Sequence, residues 1–294
     1  MKSSLTLSHF LLVIVLSAAV AFGVVKVVAP AGQGGAAAHK ETAFERVMRT
    51  NTLRCAYLVM PPQFSMDPNT KAFSGVSYDV VMEAAKRLSL KVDWVEEVNF
   101  MNVAEGFKTG RYDAFCLASY RWEPSARVME YTIPIYKSTT DAYVRADDHR
   151  FDADLKAIND PSVKVAIVDG GEASAFIRAA DFPASTAHSL PANTDPSFLL
   201  ESVATKKADV SLSNPLMAMP YLASNPDKLR RIEGHAPIRA YSHALSFGKG
   251  EHDMVSMFNV AIDGMHDDGT INKILDKYEK IPNSFVRIKS PLSQ

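Results

Sequence analysis

The short stretch from Ser119 to Trp122 carries the groups best suited to bind a small ligand. Arg121 offers a charged donor for an anion, or it is a surface arginine that pairs with Glu123 or another acid. Tyr120 and Trp122 either stack on a ligand or cover the end of a sheet. Because binding residues concentrate on loops of this kind, we expect Ser119, Tyr120 and Arg121 to contact a ligand.

A second candidate set lies in the later part of the chain. Gly170 and Gly171 separate an apolar run over 163–168 from a helical pattern, and backbone N–H groups at such a turn favour an anion or a polar ligand atom. Glu172 either contacts the ligand or only complements the dipole of the helix that it begins. Asn214, at the end of a strand-like segment, is either a turn-forming residue or a ligand contact. We keep all four as candidate contacts.

Composition excludes several classes of protein. The chain has 294 residues, of which 47% are hydrophobic, which is enough for one large domain or two modest ones. Lys and Arg number 32 against 33 Asp and Glu, without a basic block, so no nucleic-acid partner is expected. Neither the two cysteines nor the scattered histidines have metal-ligand spacing, so no metal is expected. The sequence contains no nucleophile and base at a recognisable spacing, and we expect neither catalysis nor a cofactor.

The amino terminus indicates the compartment. An uncharged apolar run extends from Phe10 to Val25 and is typical of an export signal. The run is short for a membrane span, so residues 10–28 are either removed as a signal peptide or kept as a membrane anchor. The segment 29–38, APAGQGGAAA, suits a flexible tether. We therefore expect residues 1–38 to be a signal or anchor with a linker, and the body to be periplasmic or otherwise extracytoplasmic, soluble or tethered.

Hydrophobic periodicity after the linker alternates between strand and helix. The pattern predicts strands at 53–59, 91–95, 112–119, 163–168 and 208–212. It predicts helices at 78–88, 103–110, 173–180, 198–206, 254–265 and 271–278. This order indicates an α/β protein with a mainly parallel sheet and helices on its faces. The loops that follow the first three strands, 58–64, 99–102 and 120–125, would then form a ligand crevice.

Several short motifs occur in one order along the chain. They are LR at 53–54, PP at 61–62, FSGVSYDV at 73–80, GRYDA at 110–114, YTIPIY at 131–136 and DGT at 268–270. Together they resemble the family-3 extracytoplasmic solute-binding proteins, the amino-acid-type receptors of ABC importers, over about residues 44–282.

That resemblance implies a two-lobed type II periplasmic-binding-protein fold with a two-strand hinge. Lobe 1 would contain residues 39–137 and 242–294, and lobe 2 would contain residues 138–241. A small-molecule ligand would close the cleft between the lobes, and the partner would be an inner-membrane ABC permease. We also expect the protein to be a monomer.

The ligand contacts of that family match this sequence poorly. Ser125 stands where the amino-acid receptors carry an arginine that grips the ligand carboxylate, and Arg121 or Arg127 could replace that cation. Asn214 stands in place of the acid that pairs with the ligand ammonium group. Gly171 stands in place of a threonine. The resemblance therefore does not carry over an ordinary α-amino-acid pose.

The charge of the ligand stays open at this point. Phe100 matches an apolar cleft wall of the family, or it belongs to an ordinary core. Because the family's carboxylate-binding arginine and ammonium-binding acid are both replaced here, we expect a small organic acid or a modified amino acid rather than a basic amino acid. Glu172 argues for the opposite charge if it faces the cleft.

Two other functions are weighed as alternatives. Some relatives act as exported cyclohexadienyl dehydratases, with a general acid or base at the end of a Gly-Gly-Thr-Asn-Glu motif. The matching text here is GGEAS at 170–174, which places Glu172 two residues early. On a helix start, two residues rotate a side chain by about 200°, so the catalytic geometry would be lost. A retained anchor would instead fit a membrane-tethered ligand sensor.

Cys55 and Cys116 lie on strands that this fold makes neighbours. An exported chain meets an oxidising compartment, so the two residues form either a disulfide or a pair of buried free thiols. The prediction that assumes least is a pair of free thiols.

Overall fold

The computed structural model describes residues 41–169, 173–192, 194–281 and 284–288. Its helices are α1 Ala43–Thr50, α2 Val76–Arg87, α3 Val103–Thr109, α4 Ala173–Asp181, α5 Ser197–Ala204, α6 Pro215–Ser224, α7 His252–Asp267 and α8 Thr270–Tyr278. Its strands are β1 Thr52–Tyr57, β2 Ser65–Met66, β3 Phe73–Ser74, β4 Lys91–Glu97, β5 Ala114–Tyr120, β6 Met129–Tyr131, β7 Tyr136–Arg145, β8 Lys164–Val168, β9 Thr186–Leu190, β10 Val210–Ser213, β11 Leu229–Arg231 and β12 Arg239–Gly248.

The predicted helices and strands are present, with ends that differ by at most two residues. The predicted break between the last two helices is also present, because Gly269 has a φ of 75° at the start of α8. The two ten-residue strands, β7 and β12, were not predicted from periodicity. The apolar run at 10–25 and the turn at 170–172 lie outside the described residues.

The main sheet contains two parallel groups joined by antiparallel strands. Its order is β4-β1-β5-β12-β7-β10-β8-β9. Strands β4, β1 and β5 are parallel, as are β10, β8 and β9. Strands β12 and β7 pair antiparallel with each other, with Tyr241 opposite Ser138 and His243 opposite Tyr136. The parallel arrangement that the sequence predicts therefore holds on both sides of an antiparallel centre.

Buried apolar side chains form separate clusters on the two sides of that centre. Clusters that include Val80, Phe258 and Leu117 pack with β1 and β5. Clusters that include Ile177 and Leu200 pack with β8 and β10. This is the arrangement expected of two α/β layers that bury their apolar faces separately. The predicted lobe boundaries, 39–137 with 242–294 and 138–241, stay a prediction.

A disulfide joins Cys55 on β1 to Cys116 on β5. Both residues are fully buried, and their Cα atoms are 5.5 Å apart. The prediction of free thiols is therefore wrong. The pairing of adjacent strands brings together two residues that are 61 positions apart in the sequence.

Candidate functional site

A cleft of about 440 Å³ opens where the chain leaves β5 and where β12 begins. This volume lies within the usual range for small-molecule sites, about 300–1,000 Å³. The cleft is lined by Arg121, Trp122, Glu123, Ala126, Tyr131, Arg239, Ala240, Tyr241 and Ser242.

Strand pairing positions the first side of the cleft. Tyr120 lies opposite His243, and the next residue donates its backbone N–H to the Ser242 carbonyl at 2.8 Å. Trp122 continues the extended backbone, with φ −102° and ψ 127°. A short 3-10 helix, Glu123–Arg127, then turns the chain over the start of β12. The segment that carries Arg121 is therefore held between a strand and a helical turn.

Ser125 does not provide a charge to this site. Its hydroxyl donates to the Trp122 carbonyl at 2.7 Å and also contacts the hydroxyl of Tyr131. Burial raises the pKa of Tyr131, so its phenol stays neutral at ordinary pH. The position that the resemblance assigns to a carboxylate-binding arginine therefore carries a neutral hydroxyl pair.

The two guanidinium groups of the cleft differ in their partners. Arg239 donates from Nε and Nη2 to the Asp181 carboxylate at 2.5 and 2.9 Å, and its guanidinium lies over the Phe176 ring at 5.4 Å. The Asp181 carboxylate raises the pKa of Arg239. Arg121 is exposed, and in the described part of the chain no hydrogen bond or salt bridge engages its guanidinium. The alternative pairing of Arg121 with Glu123 is not formed.

Tyr241 provides a hydroxyl at the cleft that has no hydrogen-bond partner among the described residues, although the oxygen itself is buried. Burial raises the pKa of Tyr241 to about 12, so the hydroxyl keeps its proton. The ring of Tyr120 lies against Tyr241, with centroids 5.1 Å apart, and against His243, with centroids 4.6 Å apart. Tyr120 therefore packs against the cleft residue Tyr241 and does not line the cleft itself.

A buried polar cluster lies under these aromatic rings. His243 Nδ1 is 3.0 Å from the Ala118 carbonyl, and its Nε2 is 2.7 Å from the Ser138 hydroxyl. Because a carbonyl only accepts, Nδ1 carries the proton and Nε2 accepts from Ser138. His243 also stacks on Tyr136 at 4.4 Å. This cluster links β5, β7 and β12 directly below the cleft.

The other predicted contacts lie elsewhere. Phe100 is half exposed and makes an edge contact with Phe115 at 6.0 Å, outside the lining of this cleft. Ser119 lies on β5 opposite Ala244. Asn214 caps α6, because its Oδ1 accepts from the N–H of residue 216 at 2.8 Å. Gly170, Gly171 and Glu172 fall outside the described residues.

Sequence reasoning missed much of this cleft. Arg239, Tyr241 and Ser242 lie on β12, which was not predicted, and Glu123 was considered only as an ion-pair partner of Arg121. The alternation of small or polar and apolar residues over 244–247 could have indicated the strand. No local signal indicates that this strand lies beside residue 121, since the pairing is formed by distant parts of the chain.

Comparison with known proteins identifies the family. Residues 53–281 match the model of the bacterial extracellular solute-binding proteins, family 3. The chain belongs to this family, and the family-3 resemblance predicted from the motifs is confirmed. The body is thus an extracytoplasmic solute-binding domain.

Solved structures with the same fold are known. An ancestral amino-acid-binding protein, a precursor of cyclohexadienyl dehydratase, is 19% identical, with 82% of this chain and 100% of that chain covered and a TM-score of 0.66. An ancestral arginine-binding protein bound to arginine is 19% identical, with 78% and 98% covered and a TM-score of 0.61. The L-cystine solute receptor of Neisseria gonorrhoeae, unliganded and open, is 21% identical, with 83% and 99% covered and a TM-score of 0.57. They confirm the predicted two-lobed α/β fold class.

In the described part of the chain, no helix has both the length and the apolar character needed to cross a bilayer.

Proposed function

We propose that the protein captures a small polar metabolite, an amino acid or a related organic acid, and presents it to an ABC importer of the inner membrane. Family membership supports the binding role. The observation that carries the proposal is the cleft beside β12, where Arg121 offers a guanidinium with no partner among the described residues. Charged hydrogen bonds from a guanidinium group are a common way for a protein to bind a carboxylate.

Cleft closure would couple ligand binding to transport. Arg121 and Glu123 belong to the proposed lobe 1, while Arg239 is tied by Asp181 to helix α4 of the proposed lobe 2. Bending of β7 and β12 would bring these two walls of the cleft together around a ligand. In this proposal the Arg239–Asp181 pair keeps the start of β12 attached to lobe 2 during closure.

A thermal-shift screen tests the binding role. The purified full-length protein is heated with amino acids, organic acids, polyamines and aromatic acids. A ligand at 100 times its dissociation constant adds about 2.7 kcal/mol to the free energy of unfolding. For a chain of this size, that raises the unfolding midpoint by about 5 °C. A midpoint that stays constant across the whole panel would contradict the proposal.

The dehydratase alternative has its own test, because one structural neighbour is a precursor of cyclohexadienyl dehydratase. We expect no turnover of prephenate or arogenate by the purified protein. Turnover that disappears in Glu172→Gln would replace the binding proposal with an enzymatic one.

The amino-terminal segment decides between a free receptor and a tethered receptor or sensor. We propose that residues 1–38 direct export, and mass spectrometry of the protein recovered from cells tests whether they are removed. An intact amino terminus in the membrane fraction would favour the tethered form.

A further inference from the structure

Arg121 and Glu123 flank Trp122 at the cleft. Between them Trp122 has φ −102° and ψ 127°. In extended backbone, residues two positions apart point to the same side, and their Cα atoms are separated by about 6.5 Å. Both side chains line the cleft and both residues are exposed. Within the described ranges, neither side chain takes part in a hydrogen bond or salt bridge. The cleft therefore presents one positive and one negative group side by side.

The other charges near the cleft already have partners. Arg239 is held in two hydrogen bonds by Asp181. Asn214, the position that would carry the ammonium partner by resemblance, is uncharged, and its side-chain oxygen caps α6. Among the described residues that line the cleft, the charged groups left for a ligand are thus the Arg121 guanidinium and the Glu123 carboxylate, which match a ligand that carries both signs.

Aromatic residues also line the cleft. The rings of Tyr131 and Tyr241 line it, and the Tyr241 hydroxyl, which keeps its proton, has no hydrogen-bond partner among the described residues. A planar group of the ligand can pack against such rings. A hydroxyl or carbonyl oxygen on that group could accept a hydrogen bond from the Tyr241 hydroxyl.

We propose that the cleft selects aromatic zwitterions through a clamp formed wholly by the segment after β5. Arg121 binds the carboxylate, Glu123 binds the ammonium group, and the aromatic ring lies against Tyr131 and Tyr241. This inference rests on the proposed function and names the class of ligand that the receptor would bind. Both charged contacts then come from residues two positions apart, so the ligand is held before closure begins.

Isothermal titration of the full-length protein with three matched probes tests the clamp. L-Phenylalanine carries both charges, 3-phenylpropionate lacks the ammonium group, and 2-phenylethylamine lacks the carboxylate. We expect L-phenylalanine to bind at least about tenfold more tightly than either partial probe, because each missing group leaves a charged hydrogen bond unmade.

Two variants connect each charge to its residue. Glu123→Gln should remove the preference of L-phenylalanine over 3-phenylpropionate, and Arg121→Gln should remove its preference over 2-phenylethylamine. Arg127→Gln and Glu105→Gln are matched controls, since both residues are exposed and neither lines the cleft. We expect both controls to bind L-phenylalanine like the unmodified protein.

The outcomes separate the clamp from the proposed function. If 3-phenylpropionate binds as tightly as L-phenylalanine, or if Glu123→Gln leaves their ratio unchanged, the clamp is wrong. If a ligand of another class binds in the thermal-shift screen and aromatic zwitterions do not, the clamp fails while the receptor role stands. If no compound binds in either experiment, both fail.

Discussion

Asp113 shows how one buried carboxylate organises the edge of the first parallel group. It is almost fully buried and accepts the backbone N–H of Arg54 at 2.7 Å. The Arg54 Nη2 group donates to it at 2.9 Å, and the Arg46 guanidinium contacts both of its oxygens. The carboxylate thus joins α1, β1 and the start of β5. These contacts give the aspartate of the GRYDA motif a structural role.

Asp113→Asn should lower the free energy of unfolding by about 3 kcal/mol. The amide is neutral and can accept through one oxygen only, which leaves two guanidinium groups without their counter-charge. Urea denaturation of the purified protein measures the change. Asp147→Asn, at an exposed position, is the control and should stay within about 0.5 kcal/mol. Equal effects of the two substitutions would show that Asp113 is not a structural centre.

His243 links stability to pH. Burial lowers the pKa of its imidazole to about 4, and Tyr120, Ser138 and Tyr136 surround it with neutral groups. In the unfolded chain the imidazole takes a proton near pH 6.5, whereas in the folded protein it takes one only near pH 4. Between these values the unfolded state binds more protons, so stability falls as the pH falls.

We expect the His243 contribution to lower the free energy of unfolding by about 2 kcal/mol between pH 7 and pH 5. Urea denaturation at the two pH values measures the total slope, and His243→Asn should reduce that slope by this amount. His235→Gln, at a half-buried position outside this cluster, should keep the slope of the unmodified protein. A slope unaffected by His243→Asn would mean that the folded imidazole titrates normally.

At the scale of elements, the disulfide connects two strands that no short loop joins. It bonds β1 to β5 across a sequence separation of 61 residues, inside the core that α2 and α7 cover. A cross-link of this span restricts the unfolded chain and stabilises the fold by about 4 kcal/mol on the loop-entropy model.

The variants Cys55→Ala and Cys116→Ala should each lower the free energy of unfolding by about that amount. The double variant should cost little more than either single variant, because one substitution already removes the cross-link. Free thiols would instead give smaller, additive effects. Thiol labelling of the denatured, unreduced protein gives an independent check, and two reactive thiols would contradict the disulfide.

At the scale of the whole molecule, β7 and β12 lie between two separately packed groups of clusters. Each group buries its own apolar residues, and the cleft opens beside the start of β12. Motion concentrated in these strands would leave both cores intact, which is why we propose that the cleft closes by bending there.

Small-angle X-ray scattering should therefore show a smaller radius of gyration when the protein is saturated with its ligand. The Arg121→Gln variant, at the same ligand concentration, should keep the radius of the ligand-free protein, because it does not hold the carboxylate. An unchanged radius at full saturation of the unmodified protein would show that ligand binding does not close the cleft.

Local patterns in the sequence determined the α/β class, the family, and the approximate ends of six of the eight helices and five of the twelve strands that the structure describes. Hydrophobic periodicity and turn residues act over a few positions, so they can be recognised without knowing what each segment packs against. The same reasoning identified Arg121 as a candidate, because its type and its position after a strand were local facts. Asn214 was left open between two roles, and its capping contact with residue 216 shows one of them.

Only the tertiary structure decided which distant segments meet. The pairing of β5 with β12 places Ser242 against Arg121, and Tyr241 beside the same cleft, although more than 100 residues separate them. The pairing of β1 with β5 turned two separated cysteines into a disulfide. Such contacts depend on strand order and register, which are chosen by the packing of the whole core rather than by any segment alone.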